Sequence, residues 1–195
     1  MTATDHVLDA RRRPRAAGRF FLVVGPSGAG KDRLIAEAGA RLAGMLHVAR
    51  RHITRPMTDL HERHLPVTVE TFEATRRAGG YLLHWRAHGC SYGIPVACHD
   101  LLLDGVDVIA NVSRTVVADA RLLYPATRVL FVTAPASILA ARLAGRARDA
   151  DIAARLQRAA LPVAADAMIA NDGAFEQALD RFLAALAPEA AGVNR

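Results

Sequence analysis

Short apolar runs bounded by glycine or charged residues alternate along the chain with stretches whose apolar positions recur every three to four residues. Arg19–Val24 (RFFLVV) opens the series as a buried strand, being aromatic and β-branched and ending at a glycine. Helical periodicity follows over Lys31–Ala43, where Leu34, Ile35, Ala38 and Leu42 share one face. A short strand is predicted near His47–Arg50. Thr68 is placed to cap a helix that runs to Ala78 and is ended by Gly79–Gly80. Tyr81–Ala87 reads as a strand, Cys90–Pro95 as a turn into a helix over Val96–Leu103, and Val106–Ala110 as a buried strand. Ala118–Leu123 reads as helix and Arg128–Thr133 as strand. Two Ala- and Arg-rich helical stretches, Ala136–Ala144 and Ala150–Ala160, are hinged at Gly145–Asp149. Met168–Ala170 reads as a last short strand and Ala174–Ala187 as the closing helix. This alternation predicts an α/β protein, a parallel sheet covered by helices on both faces. One stretch breaks the rhythm. Arg51–Pro66 is polar, rich in His and Arg and holds two prolines, which predicts a long functional loop.

Composition fits that picture. A chain of 195 residues, 52% hydrophobic and only 5% aromatic, suits one α/β domain better than an aromatic-rich sandwich. The formal charge of +6 is concentrated in Arg11, Arg12, Arg13, Arg15 and Arg19, and the remainder is close to neutral. No aromatic or amphipathic pattern accompanies these arginines. Residues 1–18 therefore read as a solvated, poorly ordered leader, and neither nucleic acid nor membrane is expected as a partner. Cys90 and Cys98 form no CxxC pair, which fits a reducing compartment. No apolar run is long enough for a bilayer and none follows the basic stretch as a signal segment would, so the expected location is cytoplasmic.

The basic residues are almost all Arg, and the only lysine is Lys31. It lies in Gly25-Pro26-Ser27-Gly28-Ala29-Gly30-Lys31-Asp32, which fits the P-loop pattern G-x-x-x-x-G-K, between a strand and a helix. Glycines at Gly25, Gly28 and Gly30 permit the positive φ that turns successive N–H groups into one concavity. The helix beginning at Lys31 adds its unpaired amides and positive end, and Lys31 itself reaches the β- and γ-phosphates. A nucleoside triphosphate with Mg²⁺ is the expected ligand, the base left open by the loop itself. Asp32 departs from the generic pattern, which has Ser or Thr there to meet the metal. A carboxylate can hold Mg²⁺ or one of its waters, yet it adds negative charge beside the triphosphate. Either the metal offsets that charge or the loop no longer turns over. The strand Val106–Ala110 continues into Asn111 and brings no acid to its end, so Asp32 is expected to supply the carboxylate that a Walker-B residue supplies elsewhere.

Beyond the loop, the order of features resembles the guanylate-kinase-like branch of P-loop kinases. These features are Ile53-Thr54-Arg55-Pro56, an aromatic strand at Leu83-His84-Trp85, the turn Tyr92-Gly93-Ile94-Pro95, Arg142, Arg146 and Arg148, and a late Asn171-Asp172-Gly173. The loop ending in Lys-Asp, with ARRHITRP (Ala49–Pro56), GGYLLHWRAHGCSYGIP (Gly79–Pro95) and NVSR (Asn111–Arg114), is similar to the ribose 1,5-bisphosphate phosphokinase family from about Phe20 to Leu186. The resemblance implies a nucleoside-monophosphate-kinase type of P-loop fold, with an acceptor-binding insertion at about 51–95 and a lid at about 142–158 within one domain spanning 19–188, followed by a tail at 189–195. It implies γ-phosphoryl transfer from ATP to ribose 1,5-bisphosphate, giving 5-phosphoribosyl 1-diphosphate in phosphonate utilisation. Asp32 is what that family is expected to show. The acid by which guanylate kinases select guanine is missing at Leu83-His84-Trp85, while the phosphate-handling arginines remain.

An acceptor phosphate is already an anionic nucleophile and needs no general base, so arginines are expected to carry the work. Arg51 and Arg55 are assigned to acceptor phosphate, Arg114 to the transferring group, and Arg142 and Arg146 to the lid. Lys31 and Asp32 complete the catalytic set. His84, Trp85, His88 and Tyr92 are assigned to the sugar-phosphate pocket, although Trp85 is by type more often core. His61, His64, His84 and His88 lack the pairing of a zinc site. Asn171 is assigned to the nucleotide, near the adenine, or is a turn and helix cap. A guanylate kinase and a catalytically silent interaction module stand as the alternatives.

Overall fold

The first strand sets the architecture because every one of its residues is apolar. β1 (Phe20–Val24) is buried along its whole length, and its pleat sends Phe20, Leu22 and Val24 to one side and Phe21 and Val23 to the other. A strand apolar on both faces needs cover on both, which is the demand a central parallel strand makes. The computed structural model of the chain describes residues 17–56, 64–144 and 164–187. Most of the basic leader, the middle of the polar loop, the second lid helix with its hinge and Arg146, and the tail at 189–195 lie outside them.

Within the described residues, α1 (Lys31–Arg41), β2 (Leu46–Val48), β7 (Asp107–Asn111), α4 (Val117–Leu123), β8 (Thr127–Thr133), α5 (Ala136–Ala144), β9 (Ala167–Ala170) and α6 (Phe175–Leu186) complete the main layer. The sheet order is β2-β7-β1-β8-β9, with all pairs parallel. Phe21 and Val23 pack with Ile109, Leu130 and Val132 against α1 and α6, through Leu34, Ala38, Leu179 and Phe182. From β1 the chain goes out to β2 and β7 on one side and later returns as β8 and β9 on the other. The crevice at the carboxyl end of β1 is thus the topological switch point, where open α/β sheets bind ligands.

The polar stretch and the residues after it form a second sheet, which the sequence pattern did not show. Its strands are β3 (His52–Ile53), β4 (Leu65–Pro66), β5 (Tyr81–Ala87) and β6 (Cys90–Pro95), in the order β4-β3-β6-β5. Cys90–Pro95 is therefore a strand, not the expected turn. His88 and Gly89 make the turn, with φ of 52° and 72°, the two positive values that a tight two-residue hairpin requires. Gly93 lies directly beneath the Tyr81 ring, where a Cβ would strike the aromatic carbons, so this glycine marks a close approach inside a strand. The ends of Arg51–Pro66 are likewise strands: β3 runs antiparallel to β6, and the Ser91 N–H donates to Thr54 Oγ1 at 2.8 Å. The helix α2 (Val69–Arg77) begins as expected, the Thr71 N–H donating to Thr68 Oγ1 at 3.1 Å. The sheet packs through Leu83, Trp85, Tyr92 and Ile94 onto Phe20, Leu22 and Val24, together with α3 (Ala97–Leu103) and α4.

Candidate active site

Between β1 and α1 the chain folds into a loop that only its glycines allow. Gly25, Gly28 and Gly30 have φ of 141°, 83° and 88°. At Gly25 a Cβ would collide with the Val132 carbonyl of the neighbouring strand, and at Gly30 with Nδ2 of Asn171. The contact at Gly30 explains Asn171. Its side chain is buried and its Nδ2 donates to the Ala29 carbonyl at 2.8 Å, while its backbone N–H donates to Thr133 O at 2.7 Å. Asn171 thus props the loop from below, tying it to the end of β8, with one of its amide donors spent on the loop backbone.

Lys31 bends back over the loop, and its Nζ donates to the carbonyls of Gly25 and Pro26 at 2.8 Å each. Burial lowers its pKa from 10.5 to about 8. Asp32 opposes that shift, and the nearby Arg51 and Arg114 add to it. Arg114, at the start of the 3₁₀ turn Arg114–Val116 after β7, has its own pKa lowered by burial. Arg142 on α5 reaches the other lip, its Nη1 3.3 Å from Gly28 O. Lys31, Arg51, Arg114 and Arg142, drawn from four separate segments of the chain, therefore meet at one loop.

Asp32 stands in the first turn of α1 and faces the end of β7. Asn111 Nδ2 donates to its Oδ1 at 2.7 Å, and Arg51 Nη2 approaches the same oxygen at 3.2 Å. The register Val23↔Asn111 puts the asparagine beside the last residues of β1, level with the loop's entry. Asn111 was read only as a missing acid. The signal for its role was positional, the end of the strand next to β1. Among the described residues no three His, Cys, Asp or Glu side chains converge on a point. A single half-exposed carboxylate beside a phosphate cradle fits Mg²⁺, which usually takes one or two carboxylates plus phosphate oxygens and water.

On the acceptor side the expected residues part company. His84 and Trp85 are neighbours in β5 and so point to opposite faces. Trp85 stacks on Tyr92, its cross-strand partner, with ring centroids 5.2 Å apart and planes 6° from parallel, and both are buried in the core. His84 is exposed on the outer face, where Arg86 pairs with Glu73 of α2 at 3.1 Å. His88 sits exposed in the hairpin turn. Arg55 follows β3, and its backbone carbonyl lies 3.3 Å from Nε2 of His64, a fully buried histidine that helps fix the polar stretch in place.

A glycine cradle at the switch point, with a half-buried lysine and arginines from three other segments, is the construction of a P-loop phosphotransferase. No protein-family model matches the chain. Across 88% of the chain its fold superposes on guanylate kinase from Anaplasma phagocytophilum, covering 86% of that chain with a TM-score of 0.69 at 17% identity. In sequence it is 51% identical over 177 residues to a ribose 1,5-bisphosphate phosphokinase (PhnN) of Acidiphilium cryptum, which spans 89% of this chain and 94% of the relative. A second such kinase, from Chromobacterium violaceum, is 42% identical over 170 residues, spanning 85% of this chain and 92% of the relative. The chain belongs to the ribose 1,5-bisphosphate phosphokinase family, and its fold is that of the guanylate-kinase-like enzymes.

Proposed function

We propose that the protein transfers the γ-phosphoryl group of ATP to the C1 phosphate of ribose 1,5-bisphosphate, giving 5-phosphoribosyl 1-diphosphate and ADP. The observation that carries this reading is the gathering of Arg51 and Arg114 on the half-buried Lys31, around the carboxylate of Asp32. So much positive charge at one loop suits two highly phosphorylated partners. The relatives that share this chain's sequence over most of their length are named as kinases of that substrate.

In this reading the amides of Gly25–Lys31 and the Lys31 ammonium take the β- and γ-phosphates, and Arg142 closes over the lip at Gly28. Arg51 and Arg55 hold the acceptor's phosphates, with Tyr92 behind them, and Arg114 meets the charge on the transferring group. Arg146 belongs to the lid. The bond between the bridging oxygen and the γ-phosphorus breaks as an oxygen of the C1 phosphate bonds to that phosphorus. No proton need move, because the nucleophile is already an anion. Alignment and charge then set the rate. Magnesium, when bound, neutralises charge on the β- and γ-oxygens, and Asp32 is the residue that would hold it.

A coupled ADP-release assay with Mg–ATP tests the reading, run with ribose 1,5-bisphosphate, with GMP and without acceptor. Release that depends on the ribose bisphosphate supports it. Release with GMP alone makes the protein a guanylate kinase, and release with neither favours an interaction module.

A further inference from the structure

Asp32 and Asn111 face each other across the mouth of the loop with their chemistry exchanged. In the general P-loop arrangement the helix offers a hydroxyl and the neighbouring strand a carboxylate, and these two hold the nucleotide's magnesium. Here the helix offers the carboxylate and the strand a carboxamide, joined by the 2.7 Å bond from Asn111 Nδ2 to Asp32 Oδ1. Arg51 approaches the same Oδ1. Both donors thus converge on one oxygen. Among the described residues none donates to Oδ2, and the Asp32 side chain is 40% exposed.

A second carboxylate at Asn111 would have no donor to offer Oδ1 of Asp32 and would repel it at hydrogen-bond distance. An amide avoids this. It donates to Oδ1 and restricts the carboxylate's rotation, as residues behind a metal ligand commonly do. We infer that Asn111 is a positioning residue for a relocated metal carboxylate, holding Oδ1 of Asp32 so that Oδ2 stays turned to the cation that travels with the triphosphate. The inference rests on the Mg–triphosphate half of the proposed reaction and is independent of the acceptor.

The test is calorimetric titration of the full chain with ATP, once with Mg²⁺ and once with EDTA, the readout being the ratio of the two dissociation constants. Asp32→Ser is expected to abolish the advantage of Mg–ATP while leaving metal-free ATP bound as well or better, since a negative charge has gone. Asn111→Leu keeps the side chain's bulk without its donor and is expected to cut the magnesium advantage about tenfold, the lower end of what loss of a ligand's supporting partner costs. The exchange Asp32→Ser/Asn111→Asp restores a hydroxyl on the helix and an acid on the strand, and is expected to recover most of the advantage lost in Asp32→Ser. Thermal unfolding of each variant reports folding separately. If Asn111→Leu does not fold, Asn111→Ser takes its place with the same expected loss. A wild-type ratio in Asp32→Ser, or in the folded Asn111 variant, overturns the inference. So does an unchanged ratio accompanied, in the coupled ADP-release assay, by a raised KM for the acceptor, which would make the pair only an anchor for Arg51. If the ratio follows the exchange but ribose 1,5-bisphosphate is not phosphorylated, the proposed function falls and this inference stands.

Discussion

The two sheets place the groups proposed to bind phosphate in different ways. In the five-stranded sheet the interior of β1 is buried on both faces, and the site at its rim is made largely from backbone: glycine φ angles, loop amides and an asparagine strut. In the four-stranded sheet two strands are only two residues long, one face packs on the core and α2 covers part of the other, and the acceptor chemistry proposed for it would be carried by side chains. A backbone cradle leaves a motif in the sequence. A side-chain pocket on short strands leaves only residue types, and which face they occupy depends on register.

The difference can be broken most forcefully on the acceptor side, at Trp85. Trp85→Ala removes the ring stacked on Tyr92 and should cost about 3–5 kcal/mol of stability in a denaturant titration. Lys31→Met is the counterpart at the cradle. It should lower kcat/KM for ATP by about 10²–10³-fold, as removal of a preorganised charge-stabilising donor does, with the KM of the acceptor changed far less. Asn171→Ala strips Ala29 O of its buried partner and should cost about 1–3 kcal/mol, with weaker ATP binding measured by calorimetry.

How much of this was readable in the sequence follows the same division. The main-sheet strands and helices fall within a few residues of their expected places, because continuous apolar runs and helical periodicity report burial directly. Cys90–Pro95 was misread because glycine and proline signal turns. That segment is a strand because it pairs with both β5 and β3, with Gly93 leaving room for the Tyr81 ring, and the turn falls on His88-Gly89. The loop's backbone was legible, with positive φ at Gly25, Gly28 and Gly30 as their positions in the motif require. Asn111 was not, since its role exists only once β7 lies beside β1. His84 and Trp85 were grouped by adjacency in the chain, and the period of a strand sets them apart.

The cradle's lysine gives a further contrast in pH dependence. Its pKa is lowered to about 8, while phosphate binding requires the charged ammonium and so raises it again. ATP binding should therefore take up a proton, and affinity should fall by up to tenfold per pH unit above about pH 8. The fold favours the neutral amine, so the protein's stability relative to Lys31→Met should rise between about pH 8 and 10.5. The smallest effect is expected at His84, exposed on the outer face. His84→Ala should change stability by no more than about 0.5 kcal/mol, and any loss of activity should be confined to the KM of the acceptor.

The central claim, transfer to a phosphate of a phosphorylated ribose, is tested most directly by following the product with ³¹P NMR. With Mg–ATP and ribose 1,5-bisphosphate, the account predicts loss of the C1 monophosphate signal and growth of a coupled pair of diphosphate doublets, with the 5-phosphate resonance retained and ADP formed in equal amount. Unchanged ribose bisphosphate signals, under conditions where GMP is converted to GDP, would contradict it.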